Sequence, residues 1–471
     1  MNILMVASEA IPFAKTGGLA DVIGALPAAL QARGETVAVV LPNYRHNTYP
    51  RPLREAYRDL WIPLGPGFVA HLYETQERNV TFYFVDCPPL FDRDGIYGTW
   101  MGDYGDNHLR FAALSMAAIG VARHLFRPRI IHCHDWQSAL VPVYLKEHFR
   151  GDPTFDRVRV LLTIHNLGYQ GEFGPQVMAD LGLDGRLYNP EQLEYYGRVD
   201  FLKGGIVWSD AVSTVSKTYA EEIQTPEYGF GLDGLLRWHA PIHGILNGVD
   251  YVEWDPTRDS HIAKKYSTED LAGKRECKRA LLAELGLPAD RLDRPLVGMV
   301  SRFAAQKGFD LFAQVASRLL EQNLSLAVLG SGVGEFESMF RYLAYAYPDK
   351  VGLRIGYDTG LAHRIEAGAD MFLMPSRYEP CGLNQIYSLR YGTVPVVRAT
   401  GGLDDTIDEE TGFKFREYSG DALLAAMHSA QEAYANQERW VGIMRRGMGK
   451  DFSWESSAAQ YAALYQRMTS R

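Results

Sequence analysis

Lys15-Thr16-Gly17-Gly18-Leu19-Ala20-Asp21-Val22 is the stretch on which the reading of this chain turns. A short apolar run, Ile3 to Ala7, precedes it, and a helix-like segment from Leu19 to Arg33 follows. Strand, glycine turn and helix in that order leave backbone N–H groups and a positive helix end facing a ligand. Gly17 and Gly18 have no Cβ, so an anion can approach the backbone closely. Lys15 adds a full positive charge beside them. The local pattern fits a phosphate or diphosphate cradle, and it also fits a tight turn with a surface lysine. The spacing is neither G-x-G-x-x-G nor G-x-x-x-x-G-K-[ST], so this is not a dinucleotide fingerprint or a P-loop.

Outward from the octet, strand and helix patterns alternate. Strand-like runs are Ile3–Ala7, Val37–Leu41, Thr81–Asp86, Ile130–Cys133, Val158–Ile164, Ala211–Val215 and Ile242–Leu246. Helix patterns cover Leu19–Arg33, Asp106–Leu125 and Ser138–Phe149. The Pro-rich stretch Pro42 to Pro66 breaks the rhythm and reads as an irregular insertion or hairpin. A second series starts near Asp293, with strands Leu296–Ser301, Leu324–Leu329, Val351–Ile355, Asp370–Met374 and Val394–Arg398. A helix over Phe309–Gln322 and two more from Gly420 to Lys450 belong to it. Alternation of this kind makes mainly parallel sheets covered on both faces. The fold class is α/β, with two doubly wound domains and a ligand in a cleft between them, beyond the strands' carboxyl ends. The expected domains are 1–250, 251–452 and a terminal amphipathic helix, 453–471.

The chain has 471 residues, 46% apolar and 22% charged, enough for two or three domains with large cores. A net charge of −9 argues against a general nucleic-acid binder. Cys87, Cys133, Cys277 and Cys381 form no C-x-x-C pair, which favours a reducing compartment and no structural zinc. The longest apolar stretch, Phe111 to Ala122, is short for a membrane span, and Ile3 to Ala7 is short for a signal peptide. The expectation is a cytoplasmic protein with no membrane partner.

Further motifs sit where strands end. His132 and His134, in Ile131-His132-Cys133-His134-Asp135-Trp136, have the spacing of a metal pair but no obvious third ligand. Asp135, just past the strand, is better placed for a sugar hydroxyl. His165 follows the apolar strand that ends in Leu162-Thr163-Ile164. A lone histidine is often structural, but a strand's carboxyl end favours function. Asn247-Gly248-Val249-Asp250 reads locally as an Asn-Gly turn. Arg302 and Lys307, between a strand end and a helix start, fit phosphate oxygens as well as a solvated surface. Tyr357, after Gly356, fits packing or a ring platform. Pro375 to Gln385 forms a loop turning into a helix near Leu383, with Glu379 just ahead of it. An acid there suits a helix dipole, a sugar hydroxyl or a developing cation. Thr400-Gly401-Gly402 makes one more glycine turn before a helix. Gly330-Ser331-Gly332-Val333-Gly334 reads as a tight strand–helix turn.

Lys-Thr-Gly-Gly-Leu-Ala-Asp-Val near the amino terminus resembles the signature of bacterial glycogen synthases and plant starch synthases. Thr163-Ile164-His165-Asn166, Asn247-Gly248-Val249-Asp250, Arg302 with Lys307, Glu379-Pro380-Cys381-Gly382-Leu383 and Thr400-Gly401-Gly402 follow in the order of that family. The resemblance covers nearly the whole chain. It implies the GT-B architecture of two facing Rossmann-like domains. It implies a retaining hexosyltransferase that moves glucose from ADP-glucose to the non-reducing end of an α-1,4-glucan, either glycogen or maltooligosaccharides. The catalytic set it implies is His165, Glu379, Arg302, Lys307 and Asp135. The implied donor-binding set is Lys15, Gly17, Gly18, Asp21, Asn247, Tyr357, Cys381, Gly382, Leu383, Thr400 and Gly401. No metal and no cofactor beyond the donor substrate are implied. Many related transferases carry a ribose-binding Glu eight positions after Glu379. Here that position is Tyr387, and glycogen synthases of this type commonly lack the Glu too. Rival readings are a nucleotide-sugar hydrolase or epimerase and a glucan-binding protein with a dead donor site. A pyridoxal-phosphate phosphorylase shares the fold but is disfavoured by length and motif.

Overall fold

The computed structural model describes residues 1–470. The chain divides into two compact units. The first comprises Met1–Val215, Ala220–Gly248 and the segment that begins at Trp454. The second comprises Ser216–Tyr219 and Val249–Ser453.

The first unit is built on a nine-stranded sheet. Its spatial order is Ile242–Gly244, Ala211–Thr214, Arg159–Ile164, Ile130–His134, Asn2–Val6, Thr36–Pro42, Val80–Asp86, Phe68–Glu77 and Arg54–Ile62. The first seven run parallel, and the last two form an antiparallel hairpin on the edge. The Pro-rich stretch contains the outer strand of that hairpin. This strand is charged and bulged, with Asp59 at φ 56°, features that discourage edge-to-edge pairing. The parallel strands are apolar on both faces because helices cover both. Ile3, Met5, Val37, Val39 and Leu41 alternate toward one face. There they meet Val22, Ile23 and Leu26 of helix Gly18–Ala32 and Tyr461, Leu464 and Tyr465 of helix Trp454–Thr469.

The strand order turns back between Asn2–Val6 and Ile130–His134, which register Ile3 opposite Ile130. In doubly wound sheets that reversal opens a crevice at the carboxyl ends. A small antiparallel sheet of Glu172–Phe173, Arg198–Asp200 and Glu194–Tyr195 is an addition that the alternation of long elements did not reveal. The helical run 107–126 is long and apolar enough to cross a membrane, against the shorter span read from sequence, but 67% of its apolar window is buried. Inside it, fully buried Arg110 donates to the Leu90 carbonyl and to Asn107 Oδ1, each at 2.7 Å.

The second unit has a six-stranded, wholly parallel sheet. Its order is Val351–Ile355, Ser325–Gly330, Leu296–Val300, Met371–Met374, Val394–Arg398 and Phe413–Phe415. Here the reversal lies between Leu296–Val300 and Met371–Met374. Three of its helices start on side-chain caps, from Asp358, Ser419 and Asn436. Asp358 accepts from Leu361 N at 2.8 Å, and Ser419 accepts from Ala422 N at 3.2 Å.

Candidate active site

Each sheet's reversal point gathers motif residues. In the first unit the loop after Asn2–Val6 carries Glu9, which sequence reasoning missed. Glu9 is 3% exposed. Its Oε2 accepts from the N–H groups of Thr16 and Gly17, and its Oε1 accepts from the Thr16 hydroxyl at 2.6 Å. The Tyr97 hydroxyl donates to the same carboxylate at 2.5 Å and lies 2.8 Å from the Ser8 hydroxyl. This corrects the expectation that the turn's N–H groups all face a ligand: those of Thr16 and Gly17 hold an internal carboxylate. The Lys15 ammonium pairs with Asp21 at 2.7 Å. Burial raises the Asp21 carboxyl above the usual range, and the lysine opposes that shift. At Gly17 and Gly18 an added Cβ would meet nothing within 4 Å. Nothing inside the protein therefore demands glycine there, and the space over the turn is open.

Beside this loop, strand Ile130–His134 ends at Asp135, whose φ of 56° and ψ of −172° are strained for a residue with a Cβ. Asp135 Oδ1 accepts from the N–H groups of His165, at 2.7 Å, and Asn166, at 3.4 Å. Burial pushes the Asp135 carboxyl up to about 7, against the pull of those two donors, and the charge of Glu9 adds to the rise. His165 Nε2 lies 3.0 Å from His134 Nδ1. Burial pushes His165 down to about 3. His134 is held well below the ordinary range by burial and by the rings of His132 and His165. The three rings are therefore neutral near pH 7. His132 does not share a ligand with His134. Its Nε2 lies 2.6 Å from Thr163 Oγ1, and its Nδ1 lies 2.8 Å from the Tyr465 hydroxyl. Among the described residues, no group of three or more His, Cys, Asp or Glu is arranged to hold a metal ion. Asn247 is 8% exposed, and its Oδ1 is buried without a hydrogen-bond partner. His134 Nε2 is in the same condition. Buried polar atoms of this kind ask for a partner.

In the second unit, Lys307 and Glu379 meet where the loops after Leu296–Val300 and Met371–Met374 face each other. The Lys307 ammonium donates to Glu379 Oε1 at 2.9 Å and Oε2 at 2.7 Å, and Ser376 Oγ donates to Oε2 at 3.0 Å. Sequence reasoning found both charged residues but not their pairing, nor Ser376. Behind them, Gly402 N donates to the carbonyls of Glu379, at 3.0 Å, and Pro380, at 3.2 Å. Thr400 is fully buried, and Gly401 sits at φ 45° against the Glu379 backbone. Cys381 is buried, and Gln385 Nε2 donates to its carbonyl at 3.0 Å and to that of Gly382 at 3.1 Å. Leu383 immediately precedes helix Asn384–Arg390. Glu379, Cys381, Gly382, Leu383, Thr400 and Gly401 thus form one packed cluster with Lys307. Arg302 is exposed at its rim, just past strand Leu296–Val300. Tyr357 is 84% exposed, so its ring is not packing. Tyr387 stacks on Trp254, with ring centres 3.8 Å apart and planes within 5°, and Trp254 stacks on His363. The ring in place of the ribose-binding Glu therefore belongs to an aromatic pile.

Residues 2–238 match the family described as starch synthase catalytic domain, and residues 288–445 match glycosyl transferases group 1. The glycogen synthase of Koribacter versatilis (strain Ellin345) is 51% identical over 477 residues, covering 99% of this chain and 98% of that protein. That of Myxococcus xanthus (strain DK1622) is 48% identical over 477 residues, covering 99% of each. Among solved structures, the catalytic domain of starch synthase IV from Arabidopsis thaliana, bound to ADP and acarbose, matches with a TM-score of 0.90 at 34% identity. It covers 100% of this chain and 99% of that one. Sucrose-phosphate synthase from Thermosynechococcus elongatus, with a TM-score of 0.63 at 20% identity, shares the fold. With two parallel α/β units of GT-B type and relatives near half identical from end to end, the chain belongs to the glycogen and starch synthase family of glycosyltransferases.

Proposed function

We propose that the protein transfers glucose from ADP-glucose to the 4-hydroxyl at the non-reducing end of an α-1,4-glucan, with retention of configuration. The observation that carries this reading is the likeness, over its whole length, to a starch synthase domain whose bound molecules are ADP and acarbose. The open space over Gly17 and Gly18 and the buried, partnerless Asn247 Oδ1 support a ligand at the first unit's reversal point.

Lys307, Arg302 and Lys15 stabilise the charge that develops on the departing diphosphate, an electrostatic contribution of the kind that commonly dominates such transfers. Glu379 binds a glucose hydroxyl, with its carboxylate aimed by Lys307 and Ser376. Cys381 to Leu383, with Thr400 and Gly401, offer backbone groups to sugar and phosphate, and Tyr357 offers its ring face to the adenine. Asn247 hydrogen-bonds the donor sugar. Neutral His165, braced by His134 and by the Asp135 carboxylate at its N–H, contacts the transferred glucose. Lys15 and Asp21 act together beside the Gly17–Gly18 turn. Both Glu379 oxygens already accept hydrogen bonds, and Asp135 Oδ1 holds two N–H groups. Neither carboxylate is presented as a nucleophile, which supports departure and attack on the same face of the sugar.

The test is an incubation with maltooligosaccharide and either ADP-glucose or UDP-glucose, with and without added metal, following both nucleotide release and glucan length. Lengthening with ADP-glucose that Glu379→Ala and Lys307→Ala abolish is the expected result. Nucleotide release without a longer glucan would instead identify a hydrolase or epimerase.

A further inference from the structure

We infer that Trp254 is a positioning residue for the donor: its indole sets the spacing between the loop that takes the adenine and the loop that takes sugar and phosphate. The inference rests on the donor proposed above and concerns the second unit alone. Tyr357 and Asp358 lead into helix Thr359–Gly368, and Cys381 to Leu383 lead into helix Asn384–Arg390. Each loop is carried by the helix that follows it. Whatever fixes the gap between these helices therefore fixes the span from base to phosphate that the site accepts.

The indole of Trp254 fills that gap. It stacks on His363 of the first helix, with ring centres 3.8 Å apart and planes within 10°. On its other face it stacks on Tyr387 of the second helix, at 3.8 Å and within 5°. Three parallel rings in contact leave no slack along the stack, because protein interiors are close-packed. One turn further along the first helix the two helices are tied directly. There Ser388 Oγ donates to Glu366 Oε2 at 2.6 Å, and both residues are buried. A tie at one level and a wedge at the next fix an angle as well as a distance.

The segment that carries Trp254 supplies none of the proposed donor contacts, yet it is fastened to both helices. Asp255 pairs with Arg390 at 2.5 Å. Asp259 Oδ2 accepts from His363 Nδ1 at 2.8 Å and from the Tyr391 hydroxyl at 2.5 Å. Burial disfavours the Asp259 charge, but the bonds from His363 and Tyr391 outweigh it and hold the carboxyl below its usual range. Bonds to an ionised acceptor are the stronger kind, and this one locks the ring on which the indole rests. Cover for a core does not require such alignment, and Trp254 is itself only half-buried. Supports of this sort matter because a binding site loses affinity and rate when its contacting groups shift by as little as about 1 Å.

The test compares ADP, adenosine and inorganic pyrophosphate as ligands of the full-length protein, by calorimetry and by competition with ADP. Trp254→Leu should weaken ADP about tenfold, with a parallel rise in the KM for ADP-glucose and no change in that for maltooligosaccharide. Adenosine and pyrophosphate each engage one loop only, so their affinities should change by less than about twofold. Trp254→Phe keeps a flat ring in the stack and should restore ADP binding to within about threefold of wild type. Tyr387→Leu removes the ring on the other side, should repeat the pattern, and decides the matter if Trp254→Leu does not fold. Unchanged ADP affinity in the leucine variants overturns the spacer. So does an equal loss for all three ligands, which is plain structural damage, or a Trp254→Phe as weak as Trp254→Leu. A wild type that binds ADP with this pattern across the variants but elongates no acceptor upholds the spacer and refutes the transferase reading instead.

Discussion

Lys307 and Glu379 form an ion pair, N to O 2.7 Å, in which the Glu379 side chain is 6% exposed and that of Lys307 22%. The asymmetry sets the order of two substitutions. Lys307→Ala strands a buried carboxylate, whereas Glu379→Ala strands an ammonium that can still reach water. Breaking a fully buried pair costs about 3–5 kcal/mol. Lys307→Ala should lower the unfolding free energy by about 2–4 kcal/mol and Glu379→Ala by about 1–2 kcal/mol. Urea unfolding of the two variants checks this, and the reverse order would sink it.

Asp135 should make stability depend on pH. Its folded-state carboxyl titrates at about 7 because burial disfavours the charge, while an unfolded Asp ionises near about 3.9. Between these values the folded state holds a proton that the unfolded state has lost. This group's contribution therefore weakens as pH rises through that window, by up to about 1.4 kcal/mol per pH unit. Asp135→Asn removes the dependence and should gain on wild type by a few kcal/mol from about pH 4.5 to about pH 7.5. A pH-independent difference in urea unfolding would contradict it.

The neutral state of His165 is open to direct observation. Pushed down to about 3 by burial, it should show no shift of its ring-proton NMR resonance between about pH 5 and 8, where a free histidine titrates near about 6.5. Assignment by comparison with His165→Gln isolates the signal. A midpoint near 6.5 would contradict the buried, neutral ring.

Two glycine substitutions should separate binding from stability. At Gly17, φ is −150° and an added Cβ meets nothing. Gly17→Ala should leave stability within about 0.5 kcal/mol of wild type but raise the KM for ADP-glucose about tenfold or more. At Gly401, φ is 45° and a Cβ would lie 2.0 Å from the Glu379 carbonyl oxygen. Gly401→Ala should cost about 2–4 kcal/mol. Thermal unfolding and donor kinetics on both variants decide the matter.

How much of this was legible in the sequence follows from the physics of each element. Strands such as Ile3–Val6, Arg159–Ile164 and Leu296–Val300 are buried on both faces over most of their length, so they read as apolar runs. The edge strand Arg54–Ile62 faces water, and its bulges break the period of two. It could be read only as part of an irregular insertion or hairpin. Glu172–Phe173 and Glu194–Tyr195 are too short to show any period. Within the site, Asp135, His165, Lys307 and Glu379 were legible because each follows a strand end. Partnerships were not. Glu9 and Tyr97 are 88 positions apart, and nothing local marks either as the other's partner. The Trp254–Tyr387 stack is hidden for the same reason.

The helix Trp454–Thr469 completes the core that Ile3, Val39 and Leu26 begin. Its consequence falls on biosynthesis. A ribosome finishes the first unit's sheet early, but this layer of that unit's core follows only after the whole second unit. At roughly 5–20 residues per second, the intervening second unit takes on the order of ten seconds or more to make. Through that interval the part of the sheet that this helix covers, around His132 with its bond to the Tyr465 hydroxyl, lacks that cover. Truncation ahead of Trp454 should therefore destabilise the first unit even though its sheet is complete.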